Sequence, residues 1–172
     1  MFEAFAMLAA AALQTADAPT DDPLAPARAG RVRCIDPDVA RHNCSSIVRF
    51  RVQDDGRFEA TVSGIIEPRV MIVYKISGEV QGNAVCSIVR VDDFLAGKLY
   101  VEDKPATALE ANAIRGRLVT RLSELSGKRR CFIDGTEGPG VTANVTVNGL
   151  LHPEMKQSVA WVSPTDGYAV AE

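Results

Sequence analysis

VRFRVQDDGRFEATV, residues 48–62, is the stretch whose reading decides the fold. Val48, Phe50 and Val52 alternate with Arg49, Arg51 and Gln53; past Asp54-Asp55-Gly56 the chain returns with Phe58, Ala60 and Val62 against Arg57, Glu59 and Thr61. A period of two with one apolar face marks a half-buried strand, so this is a β-hairpin. A two-residue Asp-Gly loop would set Val52 opposite Glu59 and mix the faces. A three-residue loop with Gly56 in the left-handed region sets Val52 opposite Phe58 and Arg51 opposite Glu59. The second register keeps apolar on apolar and pairs opposite charges on the water side.

Downstream, Val70, Ile72, Tyr74 and Ile76 alternate along a strand that turns at Gly82-Asn83 and returns through Val85 to Val91. With Gly-Asn as a two-residue loop, Val80 faces Val85, Ile76 faces Val89 and Tyr74 faces Val91, which leaves Cys86 and Ile88 on the other face. The one strong helix signal begins at the capping box Thr107 to Glu110, behind Pro105, and runs to Ser126 before Gly127. Its stripe of Ile114, Leu118, Leu122 and Leu125 is the expected cover for the Cys86 face, while Arg115, Arg117, Arg121 and Glu124 face water. Further strands are expected at 130–133, 141–147 and 158–162. The fold class that follows is α+β: a mainly antiparallel sheet built of hairpins, one packed helix at about 108–126, and two disulfides.

The 172 residues suit one domain, and 47% apolar with 24% charged residues is ordinary globular composition. With 19 Lys and Arg against 22 Asp and Glu, the charge of -3 offers no field for nucleic acid. One Trp, three Tyr and six Phe are too few for a base-stacking platform. Phe5 to Leu13 is a nine-residue apolar run followed by Ala16-Asp17-Ala18, which reads as a signal peptide over 1–18. The run is too short for a transmembrane anchor. Glu3 stands where an export signal favours Lys or Arg, consistent with a start further upstream. Residues 19–30 (PTDDPLAPARAG) read as a linker, 31–165 as a single α+β domain and 166–172 as a flexible tail.

Four cysteines, Cys34, Cys44, Cys86 and Cys131, behind a signal peptide read as two disulfides. Three connectivities are open. The short Pro37-containing loop favours Cys34 to Cys44, and the strand-like runs around the other two favour Cys86 to Cys131. A metal site drawing on Cys34, His42 and Cys44 matches no zinc spacing, and no C-x-x-C occurs. No metal and no cofactor are expected.

Only two histidines, His42 and His152, are present to serve acid–base chemistry. His42 lies near Ser45, Ser46, Asp36 and Asp38, but all crowd into one loop, whereas nucleophile sites draw on several elements. No catalytic residue is assigned, and the balance leans against an enzyme. The Gly135, Gly138, Gly140 cluster opens no helix and so lacks the free amides of a phosphate loop. Candidate binding residues are the arginine row Arg49, Arg51 and Arg57 on the outer face of the first hairpin, together with His42 and Trp161. The basic run Lys128-Arg129-Arg130 reads as a second charged surface feature.

The Cys34 to Cys44 loop, the Asp-Asp-Gly hairpin, the helix followed by Gly127 and Cys131, and the terminal Ala160-Trp161-Val162 resemble a group of small exported alphaproteobacterial proteins of unassigned function, over residues 31–162. The resemblance implies a periplasmic or secreted home and no activity. The expected function is a non-enzymatic binding or inhibitor-like module of the cell envelope, with an envelope protein or an anionic envelope polymer as partner. The alternative is a small envelope hydrolase or metal-binding protein using the Cys34 to Cys44 loop. Oligomeric state is not readable from the sequence. Export makes a direct prediction for protein recovered from its own host: an intact mass beginning at Pro19, with no thiol alkylated before reduction. A full-length cytoplasmic chain with free thiols would refute both the signal and the disulfides.

Overall fold

The computed structural model describes residues 22–137 and 140–171. The expected signal peptide, 1–18, and Gly138 of the glycine cluster lie outside the described residues. The chain enters through helix α1 (Ala25–Arg28), then strands β1 (Val32–Ile35), β2 (Asn43–Cys44), β3 (Ser46–Val52), β4 (Arg57–Glu67), β5 (Val70–Gln81) and β6 (Ala84–Ile88). Helix α2 (Val91–Leu95), strands β7 (Lys98–Val101) and β8 (Lys104–Pro105), and helix α3 (Ala108–Leu122) follow. Then come β9 (Arg129–Glu137), β10 (Gly140–Val147), β11 (Leu150–Leu151), a 3-10 turn at Pro153–Met155, β12 (Gln157–Val162) and β13 (Ala169–Val170).

The architecture is mainly antiparallel β, but the sheet is more than a set of hairpins. The order β4-β3-β1-β12-β10-β9-β6-β5 returns to its start because β5 also pairs β4, which makes a closed barrel of eight antiparallel strands. Along β3 to β5 the buried or half-buried positions alternate with charged, exposed ones such as Arg49, Arg51, Glu59, Lys75 and Glu79. On these three strands most apolar side chains point inward and the charged ones outward, the inverse of a lipid-facing barrel. Among the described residues no helix is long and apolar enough to cross a membrane.

The first hairpin has the expected register: Val52 faces Phe58, Arg51 faces Glu59, and Gly56 sits at φ +81°. The second follows its expected register only near its turn. Val80 faces Val85 and Glu79 faces Cys86, but pairing with β5 stops at Ser87, opposite Gly78. Beyond it the chain turns into α2, whose first turn holds Asp92 and Asp93, where carboxylates complement the helix dipole. Tyr74 therefore stacks on Phe94, at 4.3 Å between centroids, rather than facing Val91, and β7 takes the vacated edge of β5 at Val70–Val73. Gly78 is required by close approach. It faces Phe58 across β4–β5, and a Cβ there would overlap the Phe58 ring and the Cys86 carbonyl oxygen.

Helix α3 starts at the expected capping box, with Thr107 N–H donating to Glu110 Oε2 at 2.8 Å and Glu110 N–H to Thr107 Oγ1 at 3.4 Å. It ends at Leu122, not Ser126. Residues 123–126 form turns, and Gly127 N–H donates to Val89 O at 2.8 Å, drawing the chain off the helix axis toward β9. Ala111, Ile114 and Leu118 bury against Val70, Ile72 and Leu99. The helix thus continues the inner face at one end of the barrel and does not cover the outer face that carries Cys86.

Both disulfides take the favoured pairing, Cys34–Cys44 and Cys86–Cys131. Cys86 and Cys131 are direct partners across β6–β9. Cys34 points outward with Val32 and Ile47 into a satellite core completed by Cys44, Tyr168 and Val170. The two ends also differ from expectation. Leu24, in the expected linker, is fully buried among Phe58, Ala60 and Val85, so the folded part already includes Asp22 to Arg28. The expected flexible tail supplies β13, which pairs in parallel with β2. Leu24 with the Arg28–Asp22 ion pair at one end, and Tyr168 with Val170 at the other, tie down segments whose composition reads as loop.

The long crosslink closes about four times as much chain as the short one, and loop entropy assigns it about 4 kcal/mol. We expect Cys86→Ala/Cys131→Ala to lower the unfolding free energy in urea by that amount. A loss below about 1 kcal/mol would mean that the β6–β9 ladder restricts the unfolded chain without the crosslink.

Candidate functional site

Eight strands enclose a space just wide enough for side chains or for one small ligand. Here the filling is incomplete, and a cavity of about 320 Å³ remains inside the barrel. Its walls are mixed: Val48, Phe50, Phe58, Val62, Ile76 and Val85 supply apolar surface, and charged or polar side chains supply about as much again. One end is stoppered by Leu24, which packs with Phe58 and Val85 and lies close to Trp161. The opposite end, where β1 finishes and β3 begins, is lined by the polar residues Asp36, Ser45 and Gln157.

Strand alternation places three polar side chains of β9 and β1 on the inside. Arg33 of β1 is 3% exposed and forks onto Asp134 of β9, Nη1 to Oδ2 at 3.1 Å and Nη2 to Oδ1 at 2.7 Å. Its guanidinium lies 5.6 Å from the Phe132 ring centroid and 5.8 Å from that of Trp161, within cation–π range of both. Burial lowers the Arg33 pKa from its ordinary value, the Asp134 carboxylate counters that, and the group stays protonated at any physiological pH. Two strands, β12 and β10, separate β1 from β9 in the barrel order, so this ion pair is a crossbar through the interior.

The second inward arginine is Arg130. It faces Ser87 across β6–β9 and lies over Phe132 at 5.0 Å. Its Nε is buried with no hydrogen-bond partner, and among the described residues no carboxylate lies within 4.0 Å of it. Tyr74 is its neighbour. Burial pushes the phenol above its usual pKa, with Arg130 acting in the opposite direction, so at neutral pH Tyr74 keeps its proton and can donate.

Of the candidates read from the sequence, Arg49, Arg51 and Arg57 lie on the outer wall, where Arg51 faces Glu59 and Arg57 is paired with Asp55 at 2.6 Å. His42 is exposed, stacks on Tyr168 at 5.0 Å and has Nδ1 2.7 Å from the Asp166 carbonyl oxygen. The acids near it are engaged elsewhere: Asp38 with Arg41, and Asp36 with the Ser45 hydroxyl. The sulfurs of Cys34 and Cys44 are bonded to each other, which removes the thiolates a metal site in that loop would use. Trp161 points inward, beside Phe50. The structure does not bring these candidates together.

Arg33, Asp134, Tyr74 and Arg130 were not singled out by sequence reasoning, and Arg130 was grouped with its exposed neighbours Lys128 and Arg129. The available signal was alternation: Arg130, Phe132 and Asp134 share one face of a strand, and a charge in step with an apolar residue is out of place on a surface. Comparison with known protein families, curated proteins and solved structures finds no match for this chain.

Removing Asp134 would strand a buried guanidinium, so Asp134→Ala should destabilise the protein by about 3 kcal/mol. Replacing the pair together, Arg33→Met with Asp134→Leu, should recover most of that loss in urea unfolding. If Asp134→Ala alone costs less than about 1 kcal/mol, the crossbar is not a structural element.

Proposed function

We propose that this protein is a non-enzymatic, exported binding protein that holds a small ligand inside its barrel. The observation that carries the reading is the partly filled interior, a chamber of about 320 Å³ that combines apolar walls with polar groups converging at Arg130, Tyr74 and Ser87. Small-molecule sites pair hydrophobic surface with a few polar groups that fix orientation. The two disulfides fit an oxidising compartment, which makes the periplasm or the medium the proposed location. The resemblance to small exported alphaproteobacterial proteins points the same way. The chamber favours a small molecule over the envelope protein or anionic polymer expected from the outer face, where Arg57 is paired with Asp55.

Val62 lines the cavity and is buried, so Val62→Phe adds volume directly into the ligand space. Protein isolated from the envelope fraction of its host should carry a bound small molecule by native mass spectrometry, released on denaturation, and Val62→Phe should emerge without it. A wild-type protein that carries nothing, or a filled variant that carries as much as wild type, would refute the reading.

A further inference from the structure

We infer that the ligand is a small monocarboxylate with an apolar body, its carboxylate seated on Arg130 and its body among the aromatic and branched side chains of the chamber; this rests on the interior-binding reading above. The barrel holds two inward arginines with unlike surroundings. Arg33 has its own counter-ion, Asp134, in a bidentate pair. Arg130 has none among the described residues, and its Nε is buried without a hydrogen-bond partner. Arg130 is half-buried and hydrogen-bonds the Tyr74 hydroxyl, but its Nε is buried with no acceptor and its charge has no counter-ion, which is unfavourable inside a barrel. An anion in the cavity removes the deficit.

The surroundings fit a single carboxylate. Phe132 covers one face of the Arg130 guanidinium at 5.0 Å, leaving its edge to donate. Tyr74 and Ser87, both lining the same chamber, offer two more hydroxyl donors. Three carboxylates lie nearest: Asp134 belongs to Arg33, Asp36 lies exposed at the open end, accepting from Ser45 Oγ at 3.0 Å and Ser158 N–H at 3.2 Å, and Asp93 of α2 acts on Tyr74 but makes no ion pair with Arg130. One uncompensated positive charge matches a monoanion, whereas a dianion would bring a second charge with no partner, and an ammonium ligand would meet like charge. The strand amides are occupied in the ladder, so the barrel offers no backbone nest of the kind that suits phosphate. A volume of about 320 Å³ holds a ligand on the order of ten heavy atoms. A smaller space of about 190 Å³ beneath α3 shares Ser46, Val62, Ile65 and Tyr74 with the chamber and gives the apolar end room to extend.

The test is calorimetric titration of octanoate, 1-octanol and octylammonium into the full chain, after any resident ligand has been stripped, for wild type, Arg130→Leu and Tyr74→Phe. Octanoate should bind wild type about ten- to a hundredfold more tightly than octanol, the range for hydrogen bonds to a charged group, and octylammonium should not bind. Arg130→Leu should abolish the octanoate advantage while leaving octanol affinity within about threefold, and Tyr74→Phe should reduce the advantage severalfold. Thermal melts supply a second readout, because octanoate should raise the midpoint of wild type but not of Arg130→Leu. If octanol matches octanoate in wild type, or the advantage survives in Arg130→Leu, the chamber binds ligands but the carboxylate assignment is wrong. If none of the three binds wild type, the interior-binding reading fails with it. Should Arg130→Leu not fold, an undiminished octanoate advantage in Tyr74→Phe would overturn the assignment.

Discussion

Closure of the eight strands into a ring is the constraint on which the rest of the molecule depends. An open sheet of these strands would leave two long unpaired edges and an inner face needing a second layer to cover it. Pairing the edges removes both problems, because the ladder groups are satisfied and the apolar face becomes an interior. The diameter of an eight-stranded barrel follows from its strand number and shear, not from the side chains inside it. Interior side chains therefore fill a space of given width, and wherever small residues such as Ser46, Val62 and Ser87 fall, volume is left over. The chamber is a consequence of closure combined with modest side chains.

Two arginines inside one barrel show how the same side chain serves different ends. Arg33 and Asp134 join strands that are not neighbours, and their fork geometry sets the relative position of opposite walls. Such a pair adds little net stability over apolar residues of the same volume; what it adds is specificity of arrangement. Arg130 has no carboxylate partner, and its buried, unpartnered Nε is a standing cost that the free protein carries. Local frustration of this kind concentrates where a protein meets another molecule.

The outer layer follows a different logic. Cys34 and Cys44 are almost fully buried, yet they lie outside the barrel, under a lid formed by β2 and β13. The Cys34–Cys44 bond holds the 36–43 loop against β1, and Tyr168 and Val170 seal it. His42 and its neighbours belong to that lid, which accounts for a histidine, two aspartates and two serines close in sequence whose hydrogen bonds serve turns and strand ends.

How far the sequence could be read depends on how local each determinant is. The first hairpin was legible to the level of register because alternation, the three-residue loop and Gly56 are all contained in fifteen residues. The start of α3 was legible because a capping box spans four. The second hairpin was legible at its Gly-Asn turn and misread beyond Ser87, since whether Tyr74 meets Val91 or Phe94 depends on a helix that packs from elsewhere in the chain. The disulfides could be paired from loop size and strand context. Closure could not be read, because the pairing of β4 with β5 is compatible with both an open meander and a ring, and the choice is made by β1, β12, β10 and β9, brought together across the chain. The same holds for the site. By itself the sequence determined the strands, their alternation, the helix cap and the crosslinks, all set by steric and hydrogen-bonding preferences between near neighbours. Only the tertiary structure decided that Arg33 would reach Asp134, 101 residues away, and that Arg130 would turn inward with its Nε unpartnered, because inside and outside exist only once the sheet has closed.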